Sequence, residues 1–356
     1  MSEPTTPFDV SVGVVALAAE LIDIDSVSGN EQLLADRVEA TLQGVSHLET
    51  IRHGNTVAAR THLGRDQRVI VAGHLDTVPW GQAGGARISD GVLHGRGSVD
   101  MKAALASQLI HAVQLSEPRV DVTWVFYDQE EVDASRNGLG HFAAAHPDWM
   151  VADAAVLGEP SNGGVEGGCN GTMRATLTTR GVAAHSARPW MGDNAIHKLA
   201  PVLQTLAEFT PETREVEGLA YRESLGAVLV SGGTAGNVIP DQAVLTVNFR
   251  FAPDRSVADA EAYLRKVFSG VELEVVDQAA GARPGLDGEL IQSLVAASSR
   301  KVLPKYGWTD VSRFSALGIP AVNFGPGDGA VAHSDTESVA VSEIEHCHDT
   351  LRVWLG

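Results

Sequence analysis

Residues 69–102 of the chain read VIVAGHLDTVPWGQAGGARISDGVLHGRGSVDMK, and this stretch decides the predicted fold. It begins with the apolar run 69–72, closed by Gly73, which is typical of a buried strand in a parallel sheet. His74 and Asp76 follow at the carboxyl end of this strand and share one face of an extended chain. Because a carboxylate on the second nitrogen strengthens an imidazole ligand, the pattern predicts a zinc-binding His74 oriented by Asp76. Taken alone, it also fits an aspartate that caps a turn.

Acidic residues and a second histidine follow other predicted strands at the same kind of position. They are Glu130 and Glu131 after strand 121–127, Glu159 after strand 153–157, and His333 after strand 321–324. Asp100 stands where the loop GRGSVD leads into a predicted helix. Because open α/β sheets bind ligands at the carboxyl ends of their strands, we expect these side chains to converge.

Imidazoles and carboxylates without thiolates are typical of one or two catalytic zinc ions rather than a closed structural site. In the arrangement that we expect, one ion binds His74 and Glu159, the other binds Glu131 and His333, and Asp100 bridges both. A pair of ions about 3.5–4 Å apart would acidify a shared water and polarise a substrate carbonyl.

Glu130 precedes a predicted ligand and would point elsewhere, towards that water. It is the predicted general base, which passes the proton of the water to the leaving amine. Alternative readings stay open for the isolated motifs. The Glu130–Glu131 pair could lie in a solvated loop, and Glu159, before a proline, could lie in a surface turn.

Composition limits the class of protein. The chain has 356 residues, 44% of them apolar, and a formal net charge of -19, which disfavours a nucleic-acid partner. Its length favours one large and one smaller domain. The two cysteines, Cys169 and Cys347, argue against a disulfide framework. Apolar runs are too short to span a membrane and the N-terminus has no signal core, so a cytoplasmic enzyme is expected.

The middle of the chain has a different pattern, with the predicted order β-α-β-β-α-β of a ferredoxin-like domain. Its predicted helices cover 194–209 and 257–268. We therefore predict an α/β protein with a mixed-sheet catalytic domain (1–173 and 284–356) and an inserted domain (174–283). Near the N-terminus, a helix over 30–42 is expected, capped by Ser28 or Asn30.

A set of motifs in this order closely resembles the acetylornithine deacetylase/succinyl-diaminopimelate desuccinylase family of di-zinc amidohydrolases. The motifs are GHLDTVP, GRGSVDMK, YDQEE, LGEPS, RGVAAHSARP, GNVIPD and FGPGD…AHSDTE. The resemblance covers nearly the whole chain and is strongest to the desuccinylases. It implies the same five metal ligands, the same general base, Glu130, and the same carboxylate partner of His74, Asp76, as the residues themselves predict. One departure is Gln129, where the family usually has aspartate.

The resemblance also implies a role for the inserted domain as a lid and dimerisation surface. In the family its histidine, here His185, reaches into the active site of the partner subunit and helps to hold the oxyanion of the tetrahedral intermediate. Asn237 and Arg250 match positions that bind substrate carboxylates, and Ser312 and Arg313 are further candidates for substrate contact.

The activity implied by the resemblance is hydrolysis of N-succinyl-LL-2,6-diaminopimelate by a homodimer with two zinc ions per subunit, for which cobalt could substitute. The substrate is a small N-acylated amino acid, and neither nucleic acid nor membrane is an expected partner. An acetylornithine deacetylase, a dipeptidase or an aminoacylase of the same family would share the ligands. A non-catalytic metal-binding scaffold is disfavoured because the base and every ligand are present.

Overall fold

The computed structural model describes residues 5–356, which divide into two compact units. The larger unit comprises the described residues up to Gly167, together with Gly285–Leu303 and Thr309–Gly356. The smaller unit comprises Gly168–Pro284 and Pro304–Trp308.

The strands in chain order are β1 Glu49–His53, β2 Thr56–Arg60, β3 Arg68–His74, β4 Arg87–Ser89, β5 Val92–His94, β6 Asp121–Tyr127, β7 Ala154–Leu157, β8 Glu166–Gly167, β9 Gly171–Arg180, β10 Ala184–His185, β11 Thr213–Val216, β12 Leu219–Arg222, β13 Ser224–Gly232, β14 Val238–Ile239, β15 Gln242–Phe251, β16 Glu272–Ala279, β17 Leu303–Pro304, β18 Ala321–Asn323 and β19 Ser338–Ala340. The α-helices are α1 Val14–Ile22, α2 Gln32–Leu42, α3 Lys102–Gln114, α4 Gly138–Ala145, α5 Ala200–Ala207, α6 Val257–Val267, α7 Glu289–Ser298, α8 Val311–Ala316 and α9 Val341–Leu355.

The main sheet of the larger unit is mixed and has the strand order β1-β2-β6-β3-β7-β18-β8-β17. Its middle strands β6, β3, β7 and β18 run parallel, and β2 joins them antiparallel. The predicted mixed-sheet α/β fold is therefore confirmed. Parallel neighbours end at the same edge of a sheet, so the segments that follow β3, β6 and β7 emerge side by side there.

The helix α3 packs closely on β3, which positions the loop that precedes it. A Cβ added to Gly73 would lie 2.6 Å from Cε of Met101, and one added to Gly158 would also meet this methyl group. The glycines therefore let the first turn of α3 approach the strand ends. Asp100, directly before Met101, is brought to the sheet edge as a result.

The structure corrects two predictions about helix starts. Neither Ser28 nor Asn30 caps α2; Glu31 stands at its N-cap without a side-chain hydrogen bond to the helix. Ser28 instead donates its hydroxyl to Asp76. In the smaller unit, α5 begins only at Ala200, after a 3₁₀ turn, rather than at residue 194. Pro201 lies in its first turn, where proline is favoured, and this signal marks the true start.

The smaller unit contains an antiparallel sheet with the order β13-β15-β9-β16. Its elements follow one another as β9, α5, β13, β15, α6 and β16, with shorter strands in between. A separate apolar core, which includes Leu177, Phe249 and Leu264, fills this unit. Nowhere in residues 5–356 does a helix combine the length and the apolar character that crossing a bilayer requires.

Candidate metal centre

Asp100 lies between two histidines that are far apart in sequence. Its Oδ1 is 2.9 Å from Nε2 of His74, and its Oδ2 is 3.3 Å from Nε2 of His333. Each carboxylate oxygen therefore faces a different imidazole, as expected for a carboxylate that bridges two cations. His74 is positioned by the end of β3, Asp100 by the start of α3, and His333 by the loop after β18.

The two remaining predicted ligands lie beside these histidines. Glu131 Oε1 is 2.7 Å from Nε2 of His333, and Glu159 Oε1 is 3.9 Å from Nε2 of His74. Donor atoms of His74, Asp100 and Glu131 all lie within 4.8 Å of one another. The structure thus brings together, in the predicted pairs, the side chains proposed as ligands.

The chemistry of this donor set fits divalent cations. Imidazole nitrogens and carboxylate oxygens converge from several segments, and the carboxylates outnumber the histidines. Buried carboxylates so close together repel one another unless a cation or a proton compensates their charge. The cluster therefore suits metal ions of the kind that accept nitrogen and oxygen ligands.

The position of Asp76 differs in detail from the simple imidazole–carboxylate pair that the sequence suggests. Nδ1 of His74 lies 2.9 Å from the carbonyl oxygen of Asp76, whereas Oδ1 of the same residue lies at 3.5 Å. The carboxylate accepts the backbone N–H groups of Glu130 and Glu131 and the hydroxyl of Ser28. Asp76 therefore contacts the imidazole and also holds the loop that carries both glutamates.

Burial raises the pKa of the Glu130 carboxyl well above its usual range. The charge of His74 opposes this rise, and those of Asp310 and Glu159 add to it. The hydrogen bonds that His333 donates to the carboxylates of Asp100 and then Glu131 raise its pKa to about 10. Both pKa shifts apply to the protein before cations bind. The positive charge of bound cations would lower the pKa of both groups instead.

Asp310 is a buried carboxylate near Glu130, and no motif in the sequence points to it. It accepts hydrogen bonds from Nδ2 of Asn137 and Nε of Arg313. It also contributes to the high pKa of Glu130. An Asp directly before a helix as short as α8 carries no sequence signal that separates it from an ordinary cap, so only the fold reveals it.

The candidate substrate contacts Ser312 and Arg313 both lie on α8. Ser312 is buried, and Arg313 donates to the Asp310 carboxylate and, at 3.4 Å, to the carbonyl oxygen of Ala134. Arg313 is thus tied to the segment that follows Glu131. Its predicted contact with substrate stays a prediction.

His185, Asn237 and Arg250 all lie in the smaller unit. His185, on β10, pairs with Val238 and is exposed. Its Nδ1 accepts the backbone N–H of Ala187, which places the proton of a neutral ring on Nε2. Arg250, on β15, is partly buried, and burial lowers the pKa of its guanidinium.

Comparison with known proteins gives strong sequence matches. Peptidase family M20/M25/M40 matches residues 70–355. A Mycobacterium tuberculosis protein provisionally named succinyl-diaminopimelate desuccinylase DapE is 52% identical over 345 residues, which cover 96% of this chain and 98% of that protein. A Corynebacterium glutamicum protein named succinyl-diaminopimelate desuccinylase is 42% identical over 366 residues, covering 100% and 99% of the two chains.

Solved structures share the fold at low sequence identity. A tripeptidase from Staphylococcus aureus superposes with a TM-score of 0.77 at 19% identity, covering 96% of each chain. The Bacillus subtilis YXEP protein, described as a dinuclear metal binding peptidase, superposes with a TM-score of 0.71 at 14% identity, covering 97% of each chain.

Proposed function

The chain belongs to peptidase family M20/M25/M40, and from this premise we propose that it hydrolyses N-succinyl-LL-2,6-diaminopimelate to succinate and LL-2,6-diaminopimelate. The family predicted from the sequence motifs is confirmed, and with it an enzyme that hydrolyses amide bonds. The named relatives match this chain over almost its full length, which supports the succinylated substrate and a role in diaminopimelate biosynthesis.

The observation that carries the chemistry is the position of Asp100, with one oxygen on each of two histidines. The family is metal-dependent, and the donor set described above fits divalent cations. In our proposal the ions are two zinc ions, for which cobalt could substitute. His74 and Glu159 would hold one, Glu131 and His333 would hold the other, and Asp100 would be shared by both.

When bound, such ions would acidify a water molecule and polarise the scissile carbonyl of the substrate. Glu130 accepts the proton of that water and delivers it to the leaving amine. Its backbone N–H is bonded to Asp76, so the position of Glu130 is set from the strand that also carries His74.

The smaller unit supplies further groups in this proposal. It is a ferredoxin-like lid and dimerisation domain (174–283), and the catalytic domain comprises 1–173 and 284–356. His185 donates from Nε2 to the oxyanion that forms during the attack, and its Nδ1 contact supports this tautomer. Asn237 and Arg250 bind carboxylates of the substrate, and Ser312 and Arg313 are further substrate contacts. The enzyme acts as a homodimer in the cytoplasm.

The deciding experiment compares amide hydrolysis of three substrates by zinc-loaded protein: N-succinyl-LL-2,6-diaminopimelate, N-acetylornithine and a simple dipeptide. We expect a strong preference in kcat/KM for the succinylated substrate. A preference for either of the other substrates would contradict the proposal while leaving the family assignment intact. Equilibrium dialysis with zinc, done in parallel, tests binding of two ions independently of any substrate.

A further inference from the structure

Arg96 and Glu337 form a buried ion pair that links two loops of the metal centre. Nη1 of Arg96 lies 2.5 Å from Oε2 of Glu337, and the side chains are 3% and 0% exposed. The two residues are separated by 241 positions in sequence. They meet because β5 pairs with β19, with Ser338 opposite His94, so that the residues flanking these strands lie together.

Glu337 holds the backbone of the loop that ends at Asp100. Its Oε1 accepts the N–H of Val99 at 3.1 Å and the N–H of Asp100 at 3.3 Å. A carboxylate that accepts two consecutive N–H groups fixes the backbone between them, and here that backbone carries the Asp100 side chain. The orientation of Asp100, the candidate bridge, therefore depends on Glu337.

Arg96 holds the other loop. Its Nη2 donates to the carbonyl oxygen of His333 at 3.3 Å, and its Nε donates to the carbonyl oxygen of Pro79 at 3.2 Å. The backbone of His333 has φ 62, a left-handed conformation that costs energy for a residue other than glycine. A fixed hydrogen bond to its carbonyl is one of the contacts that hold it there.

From these contacts we propose that the Arg96–Glu337 pair is a positioning device that sets the separation of Asp100 and His333 and so the affinity for the cation between them. The proposal rests on the proposed function, since it assigns a cation to these ligands. Neither residue touches the reacting atoms. Each acts through the backbone of a ligand, and the ion pair couples the two ligands to each other.

The chain offers a matched control in the smaller unit. Glu223 is also buried, 1% exposed, and its Oε1 accepts the N–H of Ala252 at 3.0 Å. It pairs with Nε of Arg255 at 2.6 Å. Glu337→Gln and Glu223→Gln therefore remove the same charge from the same kind of contact, but only the first touches the backbone of a candidate ligand.

The test measures zinc affinity by calorimetry with a competing chelator, together with amide hydrogen exchange of the metal-free proteins. For Glu337→Gln we expect zinc binding at one of the two sites to weaken by about 10–100-fold, as is typical when groups that orient a ligand are changed. The amides of Val99 and Asp100 should exchange at least about tenfold faster, because the single amide oxygen of glutamine cannot accept from both Arg96 and these N–H groups. When that oxygen faces Arg96, the NH₂ group faces the two N–H groups, and their hydrogen bonds are lost. Glu223→Gln should leave zinc affinity unchanged.

A second variant, Arg96→Lys, keeps the charge beside Glu337 and loses the paired bonds to the carbonyls of His333 and Pro79. It should also lower the zinc affinity of one site, and it provides the test if Glu337→Gln does not fold. Native zinc affinity in a folded variant of either kind would overturn the positioning role. Failure of the unmodified protein to bind two ions would instead overturn the proposed function, so the two failures can be told apart.

Discussion

The carboxylate of Asp76 accepts the backbone N–H of Glu130 at 2.9 Å, across 54 positions of sequence. Its other oxygen accepts the N–H of Glu131 at 3.0 Å. The residue before this pair, Gln129, has φ 57, so the chain turns sharply as it leaves β6. The side chain at the end of one strand therefore shapes the loop at the end of its parallel neighbour, and the candidate base and ligand are placed together.

This relationship predicts the effect of Asp76→Asn. The amide has one accepting oxygen, so one of the two N–H groups loses its partner and faces another donor. We expect the free energy of unfolding to fall by about 1.5–3 kcal/mol, the range for hydrogen bonds to a charged group, and zinc affinity to fall by about tenfold or more. Urea denaturation and zinc titration measure the two effects. Ser28→Ala also removes a hydrogen bond to the charged carboxylate, at Oδ2, but it leaves the N–H groups of Glu130 and Glu131 bonded to Asp76. It should therefore leave zinc affinity unchanged. Equal effects of both variants would contradict this account.

Replacing each of the two adjacent glutamates by glutamine should change a different property, kcat for Glu130 and zinc content for Glu131. Glu130→Gln should lower kcat by about 10²–10⁴-fold, the usual contribution of a general base, and leave zinc content unchanged. Glu131→Gln removes the negative charge of a candidate ligand beside His333 and should lower zinc content. Steady-state kinetics and metal analysis of the purified proteins distinguish these outcomes. Hydrolysis at the native rate by Glu130→Gln would refute the proposed role of this base.

A stacked histidine pair outside the metal centre, of which His111 is buried, predicts a loss of stability in acid. His111 and His348 stack with ring centroids 4.3 Å apart, and Nε2 of His111 lies 2.9 Å from the carbonyl oxygen of His348. Burial, and then the charge of His348, lowers the pKa of His111 to about 4 from its ordinary value of 6.5. Between these pH values the unfolded chain binds a proton that the folded chain does not. The free energy of unfolding should therefore decrease as the pH falls from 6.5 towards 4, by on the order of 3 kcal/mol from this group.

His111→Gln tests this dependence, because glutamine does not titrate and its amide can still donate a hydrogen bond. We expect the variant to lose less stability than the unmodified protein between pH 6.5 and 4. Urea denaturation of the metal-free proteins at several pH values measures the difference. Parallel curves for the two proteins would show that His111 does not contribute.

Much of the candidate site could be predicted because its residues stand at the ends of apolar strands. The predicted strand 121–127 coincides with β6, and the carboxyl ends of parallel strands meet without any further information. The Arg96–Glu337 pair could not be predicted in this way. Its partners lie on separate loops, and no periodicity relates positions that only the pairing of β5 and β19 brings together. The contacts of Asp76 with the glutamate loop could not be predicted for a different reason: the strand ends bring these residues together, but no pattern shows that the carboxylate accepts backbone N–H groups.

The close packing of α3 gives a final prediction about Gly158, which follows β7 directly. Its backbone φ is not in the left-handed region, so Gly158→Ala would cost little through backbone strain. The added Cβ, however, would meet Cε of Met101 and would lie 2.5 Å from Nε2 of Gln108 and 2.9 Å from Cβ of Ala104. We expect the free energy of unfolding to fall by about 1–3 kcal/mol, as for other overpacked cores.

The same substitution should also weaken zinc binding, because Cβ of Ala104 can move away only with the backbone of α3, and Asp100 lies directly before the first turn of this helix. Gly226→Ala is the control, since a Cβ at Gly226 would meet no atom within 4 Å among the described residues and this glycine also lacks a positive φ. It should change stability by less than about 0.5 kcal/mol and leave zinc affinity as it is. Denaturation of the metal-free proteins and zinc titration give both quantities. If Gly158→Ala lost stability yet bound zinc with native affinity, the approach of α3 would matter for packing alone and not for the position of Asp100.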